Sequence, residues 1–156
     1  MRLLMVCLGN ICRSPLAEGA LRAHLDRHGL NWIEVDSAGT GGWHAGEPPD
    51  RRSVAVAAGA GVDIRAQRAR KLRAADFEHF DWLLCADRSV LRDVRAMAPA
   101  GATAQTALLL EWAGQGAGAD IPDPYTGGAD DFRNVWAMVD AAAAGIVVRL
   151  APGRPV

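Results

Sequence analysis

The stretch with the most reactive side chains is VCLGNICRSP, residues 6–15, which contains Cys7, Cys12, Arg13 and Ser14. Two thiols at this spacing suit a disulfide or redox pair, half of a metal site, or an anion-binding loop whose first cysteine is a nucleophile. A metal site needs further Cys or His ligands at close spacing, and redox pairs are usually Cys-x2-Cys rather than Cys-x4-Cys. The G-x4-G-K-[ST] nucleotide motif is excluded because the sequence has no Gly-Lys pair. These comparisons favour the anion-binding loop.

The residues after Cys7 suit a loop that binds an oxyanion. A strand, this loop and a following helix would place backbone N–H groups and the positive end of the helix dipole around one small volume. Gly9 lets the backbone curl, and Asn10 accepts the left-handed conformation that an anion-binding nest requires. Arg13 adds a planar guanidinium that matches two oxygens of a phosphate. The expected ligand is therefore a tetrahedral oxyanion.

Cys7 would lie at the mouth of this loop, where N–H dipoles and Arg13 favour a thiolate. Ser14 could donate a hydrogen bond to the sulfur and stabilise it as nucleophile and as leaving group. A thiolate that faces bound phosphorus predicts phosphoryl transfer through a cysteinyl-phosphate, in two displacement steps. A lone cysteine is more often a small buried hydrophobe. The combination with Gly9, Arg13 and Ser14 favours catalysis.

Hydrophobic periodicity predicts the elements that position the loop. The apolar run 2–8 is typical of a buried strand, and the spacing of apolar residues from Leu16 predicts a helix that Ser14 caps, Pro15 begins and Gly29 ends. Further strands are predicted over 32–39, 80–87 and 106–112, and further helices over 51–60, 89–97, with Asp87 or Ser89 as cap, and 131–150.

This alternation of short strands and helices predicts an α/β fold, a single-domain doubly wound sheet of about four parallel strands flanked by helices. The phosphate-binding loop follows the first strand, at the carboxyl edge where such sheets bind ligands. The domain is expected to span 1–150, and the tail 151–156 is expected to be frayed.

The composition excludes several functional classes. Hydrophobic residues make up 50% and charged residues 22%, as in soluble globular proteins, and the net charge of −1 offers no field to attract nucleic acid. No apolar stretch suits membrane insertion, and MRLLMVCLGN is interrupted too early for a signal peptide. Three cysteines argue against a secreted disulfide scaffold. We therefore expect a cytoplasmic protein with reduced thiols.

VCLGNICRSPLAE resembles the active-site loop of the low-molecular-weight protein tyrosine phosphatases, whose pattern is Cys-x5-Arg-Ser near the N-terminus. The resemblance continues, in the family's order and at similar spacings, through DSAGT (36–40), WHAGEPPD (43–50), GVDIRAQRAR (61–70), FDWLLCADRS (80–89) and DPYTGG (123–128). It implies hydrolysis of a phosphotyrosine protein or a small aryl phosphate, with inorganic phosphate as product and with no cofactor or metal.

The resemblance also implies roles for individual residues. Cys7 would be the nucleophile, Arg13 would clamp the phosphate, and Asp123 would be the general acid that protonates the leaving phenolate. Without the loop, IPDPYTGG indicates only a turn. Trp43 and Tyr125 resemble the aromatic walls around the substrate ring, which favour phosphotyrosine over phosphoserine. The other residues expected to contact substrate are Leu8, Gly9, Asn10, Ile11 and Cys12.

Cys12 resembles the family's second loop cysteine, which can trap oxidised Cys7 as a disulfide, although inert packing is an equal alternative. Cys85 lies in an apolar run and is expected to be buried. Related arsenate reductases relay a disulfide to two downstream cysteines, but none follows Cys85. Related protein arginine phosphatases tend to carry threonine where this chain has Ile11. A non-catalytic phosphopeptide-binding protein would need neither the thiolate nor the acid.

Gln67 and the basic run that contains it also differ from or add to the family pattern. The family often has a histidine that braces the active-site loop where this chain has Gln67, which can still form a hydrogen bond. The basic run, residues 65–73, is more typical of a solvated face than of a contact for acidic substrates. The histidines are scattered and no role is assigned to them.

Overall fold

The computed structural model describes residues 1–151. Its elements are β1 (Arg2–Cys7), α1 (Arg13–Arg27), β2 (Glu34–Gly39), α2 (Arg51–Gly59), α3 (Asp76–His79), β3 (Trp82–Cys85), α4 (Arg88–Met97), β4 (Gln105–Leu108), α5 (Leu109–Trp112) and α6 (Ala129–Leu150). The strands form one parallel sheet in the order β2-β1-β3-β4. The predicted α/β fold with four parallel strands is therefore confirmed. Of the tail expected to be frayed, residues 152–156 lie outside the described part of the chain.

The central strand β1 is apolar on both faces. Leu3 and Met5 belong to the hydrophobic cluster that includes α1 and α6, whereas Leu4 and Val6 belong to the cluster that includes α3 and α4. All four side chains are at most 1% exposed. Helices therefore cover both faces of the sheet, as a doubly wound arrangement requires. The loop that follows Cys7 consequently emerges at the carboxyl edge of a rigid layer.

The predicted cap of α1 is wrong. The helix begins at Arg13, and Cys12 occupies the cap position without a side-chain hydrogen bond. The Ser14 hydroxyl lies 3.0 Å from the Cys7 sulfur instead. The loop rather than the helix end uses this hydroxyl, so Ser14 is not available as a cap.

The predicted strand over 106–112 is wrong in its second half. β4 pairs with β3 only as far as Leu108, opposite Cys85, where β3 ends. The next four residues form α5, whose turn buries Leu109, Leu110 and Trp112 together. A strand would turn adjacent side chains to opposite faces, so the helical turn is the better way to bury them on one side.

Other boundaries differ less from the sequence prediction. The strands predicted over 32–39 and 80–87 shorten to β2 and β3, and the short α3 has no predicted counterpart. No helix in residues 1–151 combines the length and the apolar composition needed to cross a bilayer.

The contact between α6 and the end of α5 depends on one glycine. A Cβ atom placed on Gly145 would overlap the carbonyl oxygen of Ala113. Gly145 lies within α6, where alanine would ordinarily be the better helix former. The glycine therefore allows a backbone approach that any side chain would prevent.

We expect Gly145→Ala to lower the free energy of unfolding by about 1–3 kcal/mol, because the added methyl group forces α5 and α6 apart. Gly59→Ala is the matched control, since it lies in α2 with nothing within 4 Å of its added Cβ. That control should gain up to about 1 kcal/mol from helix propensity. Urea unfolding of both variants measures the difference, and equal effects would contradict the packing argument.

Candidate active site

A cleft of about 190 Å³ lies at the carboxyl end of β1. Loops that are distant in sequence meet there, after β1, after β2 and before α6. The lining residues are Cys7, Leu8, Gly9, Ile11, Cys12, Arg13, Trp43, His44, Asp123 and Tyr125. All the predicted site residues are in this set except Asn10 and Ser14, which are 3% and 2% exposed. The fold thus gathers the candidates into one place, with two of them buried behind its surface.

The loop between β1 and α1 has the curled backbone expected of an anion-binding nest. Asn10 is left-handed, with φ of 58°, and its N–H donates to the Cys7 sulfur at 3.3 Å. Its side-chain Oδ1 accepts the backbone N–H of Arg70 at 3.0 Å. Arg70 is itself ion-paired with Asp36 and Asp76. Arg70 therefore packs behind the loop, whereas the other basic residues of the run 65–73 are exposed, as the sequence indicates.

Gly39, the last residue of β2, lets a second strand pack on the same loop. A Cβ on Gly39 would lie 2.8 Å from the Leu8 carbonyl oxygen and 3.1 Å from the Asn10 backbone nitrogen. The next residue, Thr40, donates its N–H to the carbonyl oxygen of Cys7 at 3.0 Å. Only a glycine permits this approach of backbone to backbone.

A buried chain of hydrogen bonds extends from the Cys7 sulfur into the protein. Ser14 Oγ lies 3.0 Å from the sulfur, and Asn10 Nδ2 donates to Ser14 Oγ at 2.7 Å and to Ser37 Oγ at 3.0 Å. Ser37 donates in turn to Glu18 Oε1 at 2.7 Å. Because an amide nitrogen only donates, Ser14 accepts from Asn10 and keeps its own proton available for the sulfur. Sequence reasoning missed Ser37 and Glu18, which are not close to Cys7 along the chain.

Glu18 ends this chain as a buried carboxyl group. Burial raises its pKa, while hydrogen bonds from Ser37 and Arg22 oppose the shift. The Arg22 bond is formed by Nε at 2.9 Å from Oε2.

Gln67 makes the kind of hydrogen bond that the sequence allows, from Nε2 to the Pro15 carbonyl oxygen at 3.1 Å. It thereby braces the first turn of α1.

The Arg13 guanidinium is 3% exposed and faces oxygen atoms of three residues, one just after β3 and two in the loop before α6. Nη1 donates to Asp87 Oδ2 at 2.6 Å and to the Ile121 carbonyl oxygen at 2.9 Å, and Nη2 lies 3.8 Å from Asp123 Oδ2. Asp87 also accepts the N–H of Val90 at 2.7 Å and so caps α4 as predicted. Its bond to Arg13 was not foreseen, because the cap alone explains an aspartate at that position.

Asp123 stabilises a turn and also lines the cleft. Its Oδ1 accepts the backbone N–H of Tyr125 at 3.1 Å, the interaction typical of an aspartate-initiated turn. The other carboxylate oxygen faces Arg13, and the side chain is 44% exposed. The turn that the sequence indicates is therefore the device that directs this carboxylate.

Two aromatic side chains stand exposed at the cleft. Trp43 is 71% and Tyr125 is 49% exposed. Gly41 makes room for the indole, because a Cβ there would overlap the Trp43 ring. His44 lines the cleft as well, hydrogen-bonded through Nδ1 to Glu47 at 2.6 Å. The only sequence feature that could have predicted His44 as a cleft residue is its position next to Trp43.

All three cysteines are buried free thiols. Burial, reinforced by the negative charge of Asp50, raises the pKa of Cys12 to about 12, so Cys12 is a protonated thiol at neutral pH. Burial likewise raises the pKa of Cys85 to about 12, and its burial is as expected. Within residues 1–151, no group of three or more His, Cys, Asp or Glu side chains is arranged to hold a metal ion.

Comparisons with known proteins identify the family of the chain. The family model described as low molecular weight phosphotyrosine protein phosphatase matches residues 2–153. A low molecular weight protein-tyrosine-phosphatase of Streptomyces coelicolor is 43% identical over 150 residues, covering 94% of this chain and 91% of the relative. A protein tyrosine phosphatase structure from Entamoeba histolytica superimposes with a TM-score of 0.90 at 30% identity, covering 98% of both chains. The Drosophila arginine phosphatase gives 0.91 at 28% identity, covering 99% of this chain and 100% of that one. The chain therefore belongs to the low molecular weight phosphotyrosine protein phosphatase family.

Proposed function

We propose that this protein hydrolyses phosphotyrosine and aryl phosphate monoesters through a cysteinyl-phosphate on Cys7 and releases inorganic phosphate. The observation that carries the proposal is the convergence of Cys7, Arg13 and Asp123 on one cleft, with the Ser14 hydroxyl 3.0 Å from the sulfur. Binding an anion would require neither a thiol at that point nor a carboxylate opposite the arginine.

In the first step the Cys7 thiolate attacks phosphorus, and the phosphorus–sulfur bond forms as the bond to the phenol oxygen breaks. The proton of Asp123 moves to the departing phenol oxygen. Arg13 and the loop N–H groups bind the non-bridging oxygens, whose charge they stabilise in the transition state. Since Asp87 and Ile121 hold Nη1, the remaining edge of the guanidinium serves the phosphate.

In the second step water attacks the cysteinyl-phosphate. Asp123, now a carboxylate, takes a proton from the water, the phosphorus–sulfur bond breaks, and Cys7 leaves as a thiolate. Ser14 and the N–H of Asn10 both point at this sulfur, and it also lies near the N-terminus of α1. These groups stabilise the thiolate as nucleophile in the first step and as leaving group in the second.

The apolar rim of the cleft favours an aromatic ester. Leu8 and Ile11 line it together with Trp43 and Tyr125, a surface on which a phenyl ring can stack. Similarity to the Drosophila arginine phosphatase makes phosphoarginine the second candidate substrate. A hydrated guanidinium gains less than a phenyl ring from the apolar Ile11 side chain, so phosphotyrosine is the favoured substrate.

Cys12 has a proposed protective role. If peroxide oxidises Cys7 to a sulfenic acid, the Cys12 thiol can displace water from that sulfur and form a disulfide, which blocks further oxidation. Both cysteines line the same cleft. The high pKa of Cys12 keeps its thiol protonated in the resting enzyme, so it does not compete with Cys7 as a nucleophile.

Cys7→Ser is expected to abolish hydrolysis of 4-nitrophenyl phosphate, because an alcohol at this point is far less acidic and less nucleophilic than a thiol. Phosphate binding, measured by calorimetry, should survive because Arg13 and the loop N–H groups remain. Cys85→Ala, which changes a buried thiol outside the cleft, is the control and should retain turnover. Normal turnover by Cys7→Ser would refute the cysteinyl-phosphate mechanism.

Asp123→Ala is expected to lower kcat/KM, which reports the step that releases the phenol, by about 100-fold or more for aryl phosphates with poor leaving groups, and by much less for those with good ones. The reason is that only a basic phenolate needs a proton to depart. Asp120→Ala, which removes a carboxylate paired with Arg88, is the control and should show no such trend. An equal loss across leaving groups would remove Asp123 from the role of acid.

The substrate class is tested by comparing kcat/KM for phosphotyrosine and phosphoarginine peptides of one sequence, with arsenate reduction assayed in parallel. Phosphotyrosine should be preferred, and arsenate reduction should be absent because no cysteine follows Cys85. Ile11→Thr should reduce the ratio of kcat/KM for the phosphotyrosine peptide to that for the phosphoarginine peptide. A preference for phosphoarginine in the unmodified protein would replace the proposed substrate by the second candidate.

A further inference from the structure

Arg52, on α2, binds the loop that carries Asp123 and Tyr125. Arg52 Nη2 donates to the carbonyl oxygen of Tyr125 at 2.9 Å, and Nη1 donates to that of Gly127 at 3.1 Å. Asp123 and Tyr125 are 44% and 49% exposed, so packing does little to hold this part of the loop. The two bonds from Arg52 supply a constraint that burial does not.

Arg52 is itself held in place from two sides. Asp50 binds it in a bidentate pair, with Nε 3.0 Å from Oδ1 and Nη2 3.0 Å from Oδ2. The guanidinium carbon lies 4.4 Å from the centre of the Phe132 ring, on α6. A planar group fixed by a carboxylate and a ring face can hold two carbonyl oxygens in one geometry.

The same pair of residues is tied to the phosphate-binding loop. Asp50 caps α2 by accepting the N–H of Arg52 at 2.8 Å, and its own N–H donates to the carbonyl oxygen of Ile11 at 2.9 Å. Ser53, one residue after Arg52, donates to the Cys12 carbonyl oxygen at 3.4 Å. The start of α2 therefore links the loop that would bind the phosphate to the loop that bears the acid.

We propose that Arg52 is a positioning residue for protonation of the leaving group. By holding the carbonyl groups of Tyr125 and Gly127 at a set distance from the phosphate-binding loop, it places the Asp123 carboxyl group at the ester oxygen. The proposal rests on the proposed function, in which Asp123 is the acid. Arg52 does not line the cleft, and four of its N–H hydrogen bonds are already made within the protein, so it acts through Asp123 and not on the substrate.

The geometric tolerance of proton transfer gives the size of the effect. A misplacement of about 1 Å in a catalytic group can cost on the order of 100-fold in rate. Loss of the Arg52 bonds should therefore resemble loss of the acid, in milder form. Binding of the phosphate, which depends on Arg13 and the loop N–H groups, should be little affected.

The test compares Arg52→Met with Arg51→Met. Methionine keeps the long apolar stem beside Phe132 but removes every N–H group, and Arg51, its exposed neighbour at the start of α2, is the matched control. We expect Arg52→Met to lower kcat/KM for phenyl phosphate by about 10- to 100-fold and kcat/KM for 4-nitrophenyl phosphate several-fold less, because 4-nitrophenolate leaves without full protonation. Arg51→Met should leave both values unchanged.

Asp123→Ala and the double variant Arg52→Met/Asp123→Ala complete the cycle. Once the acid is gone, removing Arg52 should add no further dependence on the leaving group. Thermal unfolding checks each variant, and Arg52→Lys, which keeps the charge and part of the hydrogen bonding, provides a milder change should the methionine variant not fold. It should lie between the unmodified protein and Arg52→Met.

Three results would be decisive. A leaving-group dependence in Asp123→Ala together with an equal loss on both substrates in Arg52→Met would show that Arg52 is merely structural and overturn the positioning role. No leaving-group dependence in Asp123→Ala would instead overturn the acid assignment, and the positioning role with it. A dependence in both single variants that does not add in the double variant would establish the positioning role.

Discussion

The hydrogen bonds of the Asn10 side chain are the interactions on which the rest of the site depends. Its Nδ2 reaches Ser14 on α1 and Ser37 on β2, and its Oδ1 accepts from the backbone of Arg70. One side chain thus joins the loop to three other segments. It also stabilises its own left-handed backbone, which brings its N–H to within 3.3 Å of the Cys7 sulfur. Replacing these bonds with water would release both the loop curvature and the direction of the Ser14 hydroxyl.

The buried charged side chains Arg13 and Glu18 both have hydrogen-bond partners in the site. Arg13 would be costly to bury alone, and Asp87 with the Ile121 carbonyl oxygen offsets that cost while directing the guanidinium. Hydrogen bonds from Ser37 and Arg22 likewise offset the cost of burying the Glu18 carboxyl group. Such groups gain little net stability from their pairs. What the pairs provide is a fixed geometry before substrate arrives, and preorganised charge is the larger part of transition-state stabilisation.

The site joins two parts that differ in how they are held. The phosphate-binding loop is backed by the sheet, by α1 and by the close contact at Gly39. The segment bearing Asp123 and Tyr125 is half exposed and is held by an aspartate turn and by Arg52. This division suits a cleft in which the phosphate must be gripped rigidly, whereas the rim must admit and release a bulky ester.

The sequence alone determined the phosphate-binding loop and the class of the fold. Within residues 6–15 the groups that surround the thiol are close along the chain, so their types and spacing predict the nest, and apolar runs predict the parallel sheet. Only the tertiary structure decided which distant groups complete the site. The bonds from Ser37 to Glu18, from Arg13 to Asp87 and from Arg52 to Tyr125 join residues 19, 74 and 73 positions apart. The same limit explains the failed second half of the 106–112 strand, since a strand continues only while its neighbour does. The local sequence determines which interactions a side chain can make, and tertiary packing determines which residue it makes them with.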